Sequence, residues 1–96
     1  MKFKTIRPPL HNPDNFPPEV DFDIELQNGN EHISKEEVFN KLSSYAQLNF
    51  ELDSMITYVA CKTNGKVIIE HIQVCFWNGD NITFERCNDE SITHHL

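Results

Sequence analysis

Residues 56–87 read ITYVACKTNGKVIIEHIQVCFWNGDNITFERC, three runs rich in β-branched and aromatic residues separated by two Asn-Gly pairs. The pairs are Asn64-Gly65 and Asn78-Gly79. Asn and Gly tolerate the positive φ that a two-residue hairpin turn needs, so an Asn-Gly pair between such runs is a strong hairpin signal. The stretch therefore predicts three consecutive antiparallel strands.

Turn geometry predicts which side chains of these strands share a face. A two-residue loop at Asn64-Gly65 places Cys61 opposite Ile68. Matching apolar residues across the second hairpin places Val74 opposite Phe84. The face that a helix should cover then carries Val59, Cys61, Ile68, Ile72, Val74, Phe76, Ile82 and Phe84.

The opposite face of this predicted sheet is unusually aromatic. It includes Tyr58, Ile69 and Trp77, which makes it a secondary candidate for contact with another chain. Alternatively, the Pro-rich segment of residues 8–19 folds over it. A bulge near Glu70 would exchange the two faces over part of the long strand.

Residues 20–27, VDFDIELQ, alternate apolar and polar side chains without interruption. Such alternation predicts one strand with a buried face and a solvent face. The solvent face carries Asp21, Asp23 and Glu25, so three carboxylates should stand in a row. The sequence Asn28-Gly29-Asn30 should end the strand, because these residues tolerate positive φ.

A helix is predicted next, from residue 34 to a point near residues 49–52. Ser34 followed by Glu37 forms a capping-box pattern, and Ile33 and Val38 are spaced as a hydrophobic staple. The residues that recur at three- and four-residue spacing, and so predict one buried face, are Val38, Phe39, Leu42, Tyr45, Ala46 and Asn49.

Together these elements predict a single α+β domain over residues 1–96. Its antiparallel sheet would have four strands, or five if residues 2–7 add a basic, edge-like strand, with the helix packed on one face. The order along the chain would be β-(β)-α-β-β-β. Segment 8–19 contains all five prolines and should form an irregular loop pinned by Phe16, and residues 88–96 should form a flexible tail.

Composition argues against several classes of protein. The chain has 96 residues, 39% of them hydrophobic, which suits one soluble domain with a modest core. No apolar run reaches the roughly 20 residues of a membrane helix, and the N-terminus lacks the apolar region of a signal peptide. We therefore expect a cytoplasmic protein, in the host cytoplasm if a phage encodes it. Three irregularly spaced cysteines predict reduced thiols rather than a disulfide framework.

The net charge of −7 is concentrated in one segment. Residues 19–37 contain seven acids and one base, which gives −6 over this segment. A field of this sign repels nucleic acid and attracts a basic protein surface, although the same charge could serve solubility alone. The predicted partner-binding residues are Glu19, Asp21, Asp23, Glu25, Glu36 and Glu37.

Sites for other chemistry have weak support in the sequence. Zinc ligands usually come in close pairs, a spacing that is missing from the candidates Cys61, His71, Cys75, Cys87, His94 and His95. His71 can face Cys87 across the second hairpin, which is the arrangement that most resembles an activated thiol. No phosphate-binding glycine motif and no basic stripe is present. We expect no catalytic residue, metal or cofactor.

An acidic domain without a catalytic motif suggests a small stoichiometric inhibitor that occupies a basic surface of a nuclease or another nucleic-acid-processing protein. Toxin-immunity proteins and phage anti-defence proteins, such as anti-CRISPR and anti-restriction inhibitors, follow this physical logic. Such a protein would contact neither nucleic acid nor membrane, and would be a monomer or weak dimer when alone. The alternatives are an oligomeric structural or accessory subunit that uses the Tyr58/Ile69/Trp77 face, and a minimal enzyme that uses Cys87 and His71.

Overall fold

A computed structural model of the chain describes residues 1–10, 13–45, 54–76 and 79–87. This part of the chain is mostly strand with one helix, and its mixed sheet curls into a half-barrel. The elements are β1 (Lys2–Arg7), a 3-10 turn (Pro13–Asn15), β2 (Glu19–Asp21), β3 (Glu25–Gln27), β4 (Asn30–His32), α1 (Lys35–Ser43), β5 (Ser54–Thr63), β6 (Lys66–Phe76) and β7 (Asn81–Arg86).

The strand order of the sheet is β2-β1-β7-β6-β4-β3, and β5 also pairs with β6. Most neighbours are antiparallel, but β4 runs parallel to β6 at the Asn30–Val67 pair. The predicted α+β arrangement, an antiparallel sheet of four or five strands with a helix packed on a face, was therefore wrong. The physical reason is a missed hairpin, because Asn28 and Gly29 both have positive φ and turn β3 into β4. This hairpin extends the sheet beyond β6.

The segment VDFDIELQ, predicted as one strand, contributes to two. β2 pairs with β1 at one end of the strand order, whereas β3 pairs with β4 at the other end. Residues 22–24 connect them, with Phe22 fully buried and Ile24 half-buried against the core. The alternation stops there, because Leu26 is 67% exposed. The apolar side chains at 22 and 24 thus hold the connection against the interior while the backbone changes partners.

The hairpin between β5 and β6 forms at Asn64-Gly65 as predicted. The two turn residues have φ values of 53° and 79°, and Cys61 lies opposite Ile68. Both angles suit the type I′ turn that an Asn-Gly pair favours.

Beyond this turn the long strand carries a bulge at Glu70. Ala60 lies opposite Ile69 and Val59 opposite His71, which leaves Glu70 as the extra residue. The bulge exchanges the two faces of β6, so Ile69 is buried at 3% exposure. Placing Ile69 on the exposed aromatic face was therefore wrong.

The hairpin between β6 and β7 is two residues tighter than predicted. Val74 lies opposite Ile82 rather than Phe84. The Phe76 N–H donates to the Asp80 carbonyl oxygen at 2.9 Å, so the turn closes earlier than apolar matching suggested. A shift of two residues preserves the alternation, so the same side chains stay inside.

The core lies within the curl of the sheet, and its buried residues come from β1, β2, α1, β6, β7 and the segments that connect them. Three aromatic rings form its centre, since Phe22 stacks edge-on against Phe3 at 5.7 Å and against Phe84 at 5.4 Å between ring centroids. Its buried residues are Phe3, Val20, Phe22, Ile33, Val38, Leu42, Ile69, Ile72, Val74, Ile82 and Phe84.

The helix begins at the predicted cap but is shorter than predicted. The Ser34 hydroxyl accepts a hydrogen bond from the Glu37 N–H at 3.0 Å, and Val38 and Leu42 are buried in the core. α1 ends at Ser43, and the Ser44 hydroxyl donates to the Lys41 carbonyl oxygen at 2.6 Å, a local bond that competes with continuing the helix. The predicted end near residues 49–52 was therefore wrong. No helix in the described part of the chain has the length and apolar composition required to cross a membrane.

Ser34→Ala should lower the free energy of unfolding by about 1 kcal/mol, because the Glu37 N–H loses its acceptor. Ser43→Ala, at the far end of the same helix, is the matched control and should change stability by less. Urea denaturation of both variants checks this. Equal, negligible effects would mean that the helix does not depend on a cap at Ser34.

The N-terminal strand and the Pro-rich segment are tied to the sheet. β1 spans the predicted residues, but it lies between β2 and β7, so its predicted edge position was wrong. Phe16 packs against Phe84 and Tyr45, with ring centroids 6.1 Å and 5.3 Å away, which confirms its anchoring role. The buried Asp80 carboxylate accepts the Leu10 N–H at 3.0 Å and fixes the loop near the β6–β7 turn. The predicted tail, residues 88–96, lies outside the described residues.

Candidate functional site

The six predicted acidic residues form what we call the acidic surface. It comprises Glu19 and Asp21 on β2, Asp23 in the connection, Glu25 on β3, and Glu36 and Glu37 in the first turn of α1. Five of the six are exposed, and Glu37 is partly buried. The sequence therefore located the exposed carboxylates correctly, although they do not stand along one strand.

Burial of the intervening residues turns these carboxylates outward. Val20 and Phe22 are buried at 2% and 0% exposure. Asp21 and Asp23 alternate with them and are exposed. The alternation thus holds as far as Ile24, and the core fixes the backbone from which Asp21 and Asp23 project.

A hydrogen bond joins the start of the helix to the acidic connection. The Glu37 carboxylate accepts the Asp23 N–H at 2.9 Å. Glu37 is itself placed by the Ser34 cap, since its own N–H donates to the Ser34 hydroxyl. The first turn of α1, including Glu36, is therefore held beside Asp23. Sequence spacing predicted the cap but gave no sign of this second bond.

Three residues of the acidic surface have a local partner. The Asp21 carboxylate lies 2.8 Å from the Met1 ammonium, whose hydrogen bond lowers the pKa of that carboxyl. The Glu37 carboxylate is engaged with Asp23 N–H, as described above. Glu19 lies opposite Lys4 in the sheet register. Of these three, only Asp21 has its charge compensated by an ion pair, the one with the Met1 ammonium.

Asp23, Glu25 and Glu36 have no ion pair within the described part of the chain. All three are exposed. They therefore present uncompensated negative charge and form the centre of the acidic surface.

Glu31, counted in the acidic segment of the sequence, does not belong to the surface. Its carboxylate forms a two-point pair with Arg86, at 3.1 Å and 2.6 Å, and both side chains are mostly buried. Glu31 also accepts the Ile69 N–H at 3.0 Å. The pair joins β4 to β7 across the end of β6, so this charge is structural. Without it, residues 19–37 carry six acids and Lys35, or −5.

A row of charged side chains crosses four strands on the outer face of the sheet. In register, His71 lies opposite Glu85, Glu85 opposite Lys4, and Lys4 opposite Glu19. The Glu85 carboxylate is 3.3 Å from His71 and 3.4 Å from Lys4, and these partners, His71 first, lower its pKa. The row needs the tertiary register, so the sequence alone did not reveal it.

His71 and Cys87 are not opposite each other, so the predicted thiol–histidine arrangement was wrong. The tighter second hairpin places His71 opposite Glu85, and the Cys87 sulfur lies 3.9 Å from Glu19. Burial, and next the charge of Glu19, raise the pKa of Cys87. All three cysteines are free thiols, as predicted.

Cys61 has a shorter hydrogen bond than Cys87 within the part of the chain that the structure describes. Its sulfur donates to the Glu70 carboxylate at 2.9 Å, and this hydrogen bond raises the pKa of Cys61. A raised thiol pKa lowers the fraction of nucleophilic thiolate at neutral pH.

Glu70→Gln should therefore speed the alkylation of Cys61 at neutral pH, because the neutral amide no longer disfavours the thiolate. Glu85→Gln removes the same charge away from Cys61 and serves as the control. Mass spectrometry after timed iodoacetamide treatment reports the rate at each cysteine. An unchanged rate at Cys61, or a Cys87 that reacts far faster than Cys61, would contradict this view of the thiols.

Other predicted sites can be placed only in part. Among the described residues, no group of three or more His, Cys, Asp and Glu side chains could hold a metal ion. His94, His95 and Trp77 lie outside the described residues, as does the side chain of Tyr58. Of the secondary face, only the burial of Ile69 is established.

No family model, curated protein or solved structure matches this chain.

Proposed function

We propose that the protein is a small stoichiometric inhibitor whose acidic surface occupies a basic, nucleic-acid-binding surface of another protein. Asp23, Glu25 and Glu36 form the centre of the contact, and Glu19, Asp21 and Glu37 flank it. The partner is a nuclease or another nucleic-acid-processing protein of the kind that toxin-immunity or phage anti-defence proteins block.

The observation that carries this proposal is the hydrogen bond from Asp23 N–H to the Glu37 carboxylate. It holds two acidic segments of the chain together, although their like charges repel one another. Repulsion of this kind costs the isolated protein stability, whereas a cationic partner relieves it. An arrangement held in place against its own electrostatics supports a binding role over a role in solubility alone.

The surface is also prepared for binding before a partner arrives. Buried Val20 and Phe22 anchor the strand acids, and the buried residues of α1 anchor Glu36. Carboxylates on rigid elements lose little conformational freedom on binding. In a nucleic-acid-binding groove, Lys and Arg side chains bind phosphates. The carboxylates of the acidic surface are negatively charged like phosphates, and they would meet these side chains at fixed positions.

The proposal is tested by reversing the three central charges together. A variant with Asp23→Lys, Glu25→Lys and Glu36→Lys should keep the fold, because none of these side chains is buried. The immobilised parent should retain a nucleic-acid-processing protein from extracts of the native host, and the purified partner should lose its nucleic-acid binding or cleavage at one equivalent of the parent. The variant should bind the partner more weakly by several kcal/mol if the pairs are desolvated.

A control variant with the same net charge distinguishes the effect of the acidic surface on binding from the effect of net charge. Asp14→Lys, Asp89→Lys and Glu90→Lys change the same number of acids, none of which is among the six residues of the acidic surface. Each triple reversal adds 6 charges, so both variants go from −7 to −1. We expect the control to bind like the parent. Equal binding by parent and central variant, or equal losses in both variants, would contradict the proposal.

A further inference from the structure

The outer edge of β5 carries a long row of backbone groups outside the ladders of the sheet. All ten residues of β5 pair with β6 on one side. Among the described strands, none pairs with its other side.

The hairpin register identifies the backbone groups that point outward. The residues that flank a two-residue loop form a hydrogen-bonded pair, which here is Thr63 with Lys66. The backbone N–H and C=O groups of the odd-numbered residues of β5 therefore point toward β6. The other end of the strand pair has the same pattern. Phe76 lies opposite Ser54, and its N–H points away from β5 to Asp80, so the N–H of Ser54 points outward as well. The outward N–H groups of β5 therefore belong to the even-numbered residues Ser54, Ile56, Tyr58, Ala60 and Lys62.

This edge lacks the features that protect the other edges of the sheet. β2 and β3 have three residues each and carry acidic side chains, and Pro17 and Pro18 precede β2. β5 has ten residues, no proline and a single charge, at Lys62. Long edge strands without charge or proline are templates for pairing with another strand.

The charge around β5 favours an antiparallel partner of the same sequence. In the sequence, Asp53 directly precedes Ser54, the first residue of β5, whereas Lys62 is the next-to-last residue of the strand. In an antiparallel pair of two copies, the basic end of each strand lies beside the acidic end of the other. We propose that two copies of this chain associate through β5, edge to edge and antiparallel, to form one continuous sheet across a twofold axis. This interface does not involve the acidic surface, so it stands or falls independently of the proposed function.

The first test measures mass and amide exchange on the unmodified chain. Light scattering across a concentration series should show the mass rising from 11.2 kDa toward twice that value. Hydrogen exchange of the amides at 56, 58, 60 and 62 should slow with concentration, while amides at 55, 57, 59 and 61 are protected throughout. A monomer at all concentrations would overturn the proposal. So would even-numbered amides protected independently of concentration, since a segment of the same chain would then cover the edge.

Two variants test the geometry of the pair. Ala60→Pro removes an outward donor and leaves the ladder with β6 intact, so it should raise the dimer dissociation constant by about tenfold, because twofold symmetry removes two donors. Ala60→Val keeps the donor and should associate like the parent.

Lys62→Glu should also weaken the dimer, whereas Lys35→Glu, which makes the same charge change on α1, should not. If Ala60→Pro does not fold, the Lys62→Glu and Lys35→Glu pair decides, and equal dissociation constants for those two would refute the antiparallel arrangement.

Discussion

Phe84→Ala should lower the free energy of unfolding by about 3 to 5 kcal/mol, since the ring is fully buried and its loss leaves a cavity. Phe84 contacts the rings of Phe22 and Phe16, so the cavity would open where the connection between β2 and β3 meets the sheet. A small domain has about 5 to 15 kcal/mol of stability in total, so the variant should be partly unfolded or close to it. Thermal and urea denaturation followed by circular dichroism measure the loss.

Leu26→Ala is the informative control for this core substitution. A continuous strand over residues 20–27 would bury Leu26 with Phe22, but in the structure Leu26 is 67% exposed. We therefore expect Leu26→Ala to change stability by less than about 0.5 kcal/mol. A cost at Leu26 that approaches the cost at Phe84 would mean that the segment is one strand after all.

Arg86→Met should be comparably destabilising, by about 3 to 5 kcal/mol, because it leaves the Glu31 carboxylate mostly buried without its cation. Met has similar length and can still pack against Phe3, over which the guanidinium lies at 5.9 Å from the ring centroid. The loss would therefore report the unpaired charge more than lost packing. Urea denaturation at neutral pH is the measurement.

The double variant Arg86→Met with Glu31→Gln distinguishes the cost of an unpaired charge from the cost of lost packing. It leaves no unpaired charge at this site, and the glutamine oxygen can still accept the Ile69 N–H that Glu31 accepts at 3.0 Å. The double variant should consequently be more stable than Arg86→Met alone. If the two are equally stable, the cost comes from lost packing around Arg86 and the ion pair does not hold β4 to β7.

Local signals in the sequence predicted the elements that depend on local chemistry. The Asn64-Gly65 turn, the strand at residues 2–7 and the Ser34 cap follow from residues a few positions apart, and all three are present. The core positions Ile72, Val74, Ile82 and Phe84 were also predicted, because an error of two residues in register leaves alternation intact.

The features that failed depend on contacts between distant segments. The parallel pair of Asn30 with Val67 joins segments far apart in sequence, and no local pattern specifies it. The bulge at Glu70 is bonded to Cys61 across the hairpin, and its neighbour Ile69 donates its N–H to Glu31. Partners of this kind stabilise a bulge that strand propensity alone does not encode.

In the acidic surface, too, the sequence predicted the local features but not those that depend on contacts between distant segments. Alternation predicted that Asp21, Asp23 and Glu25 are exposed, and this is confirmed. It predicted a single straight row, which is wrong because β2 and β3 have different partners. The bond that brings the helix start to Asp23 joins residues 14 apart in the chain and could not be read from spacing.

The most direct test of the central claim is the rate at which the captured partner associates with the parent at low and at physiological salt. The same rates are measured for the variant with Asp23→Lys, Glu25→Lys and Glu36→Lys. Electrostatic steering should make the parent's association fast and strongly salt-dependent, by about tenfold or more, because exposed charges are screened beyond roughly 8 Å at physiological salt. The variant should associate slowly at low salt and with little dependence on salt. Equal association rates and equal salt dependence for the two proteins would contradict a binding role for the acidic surface.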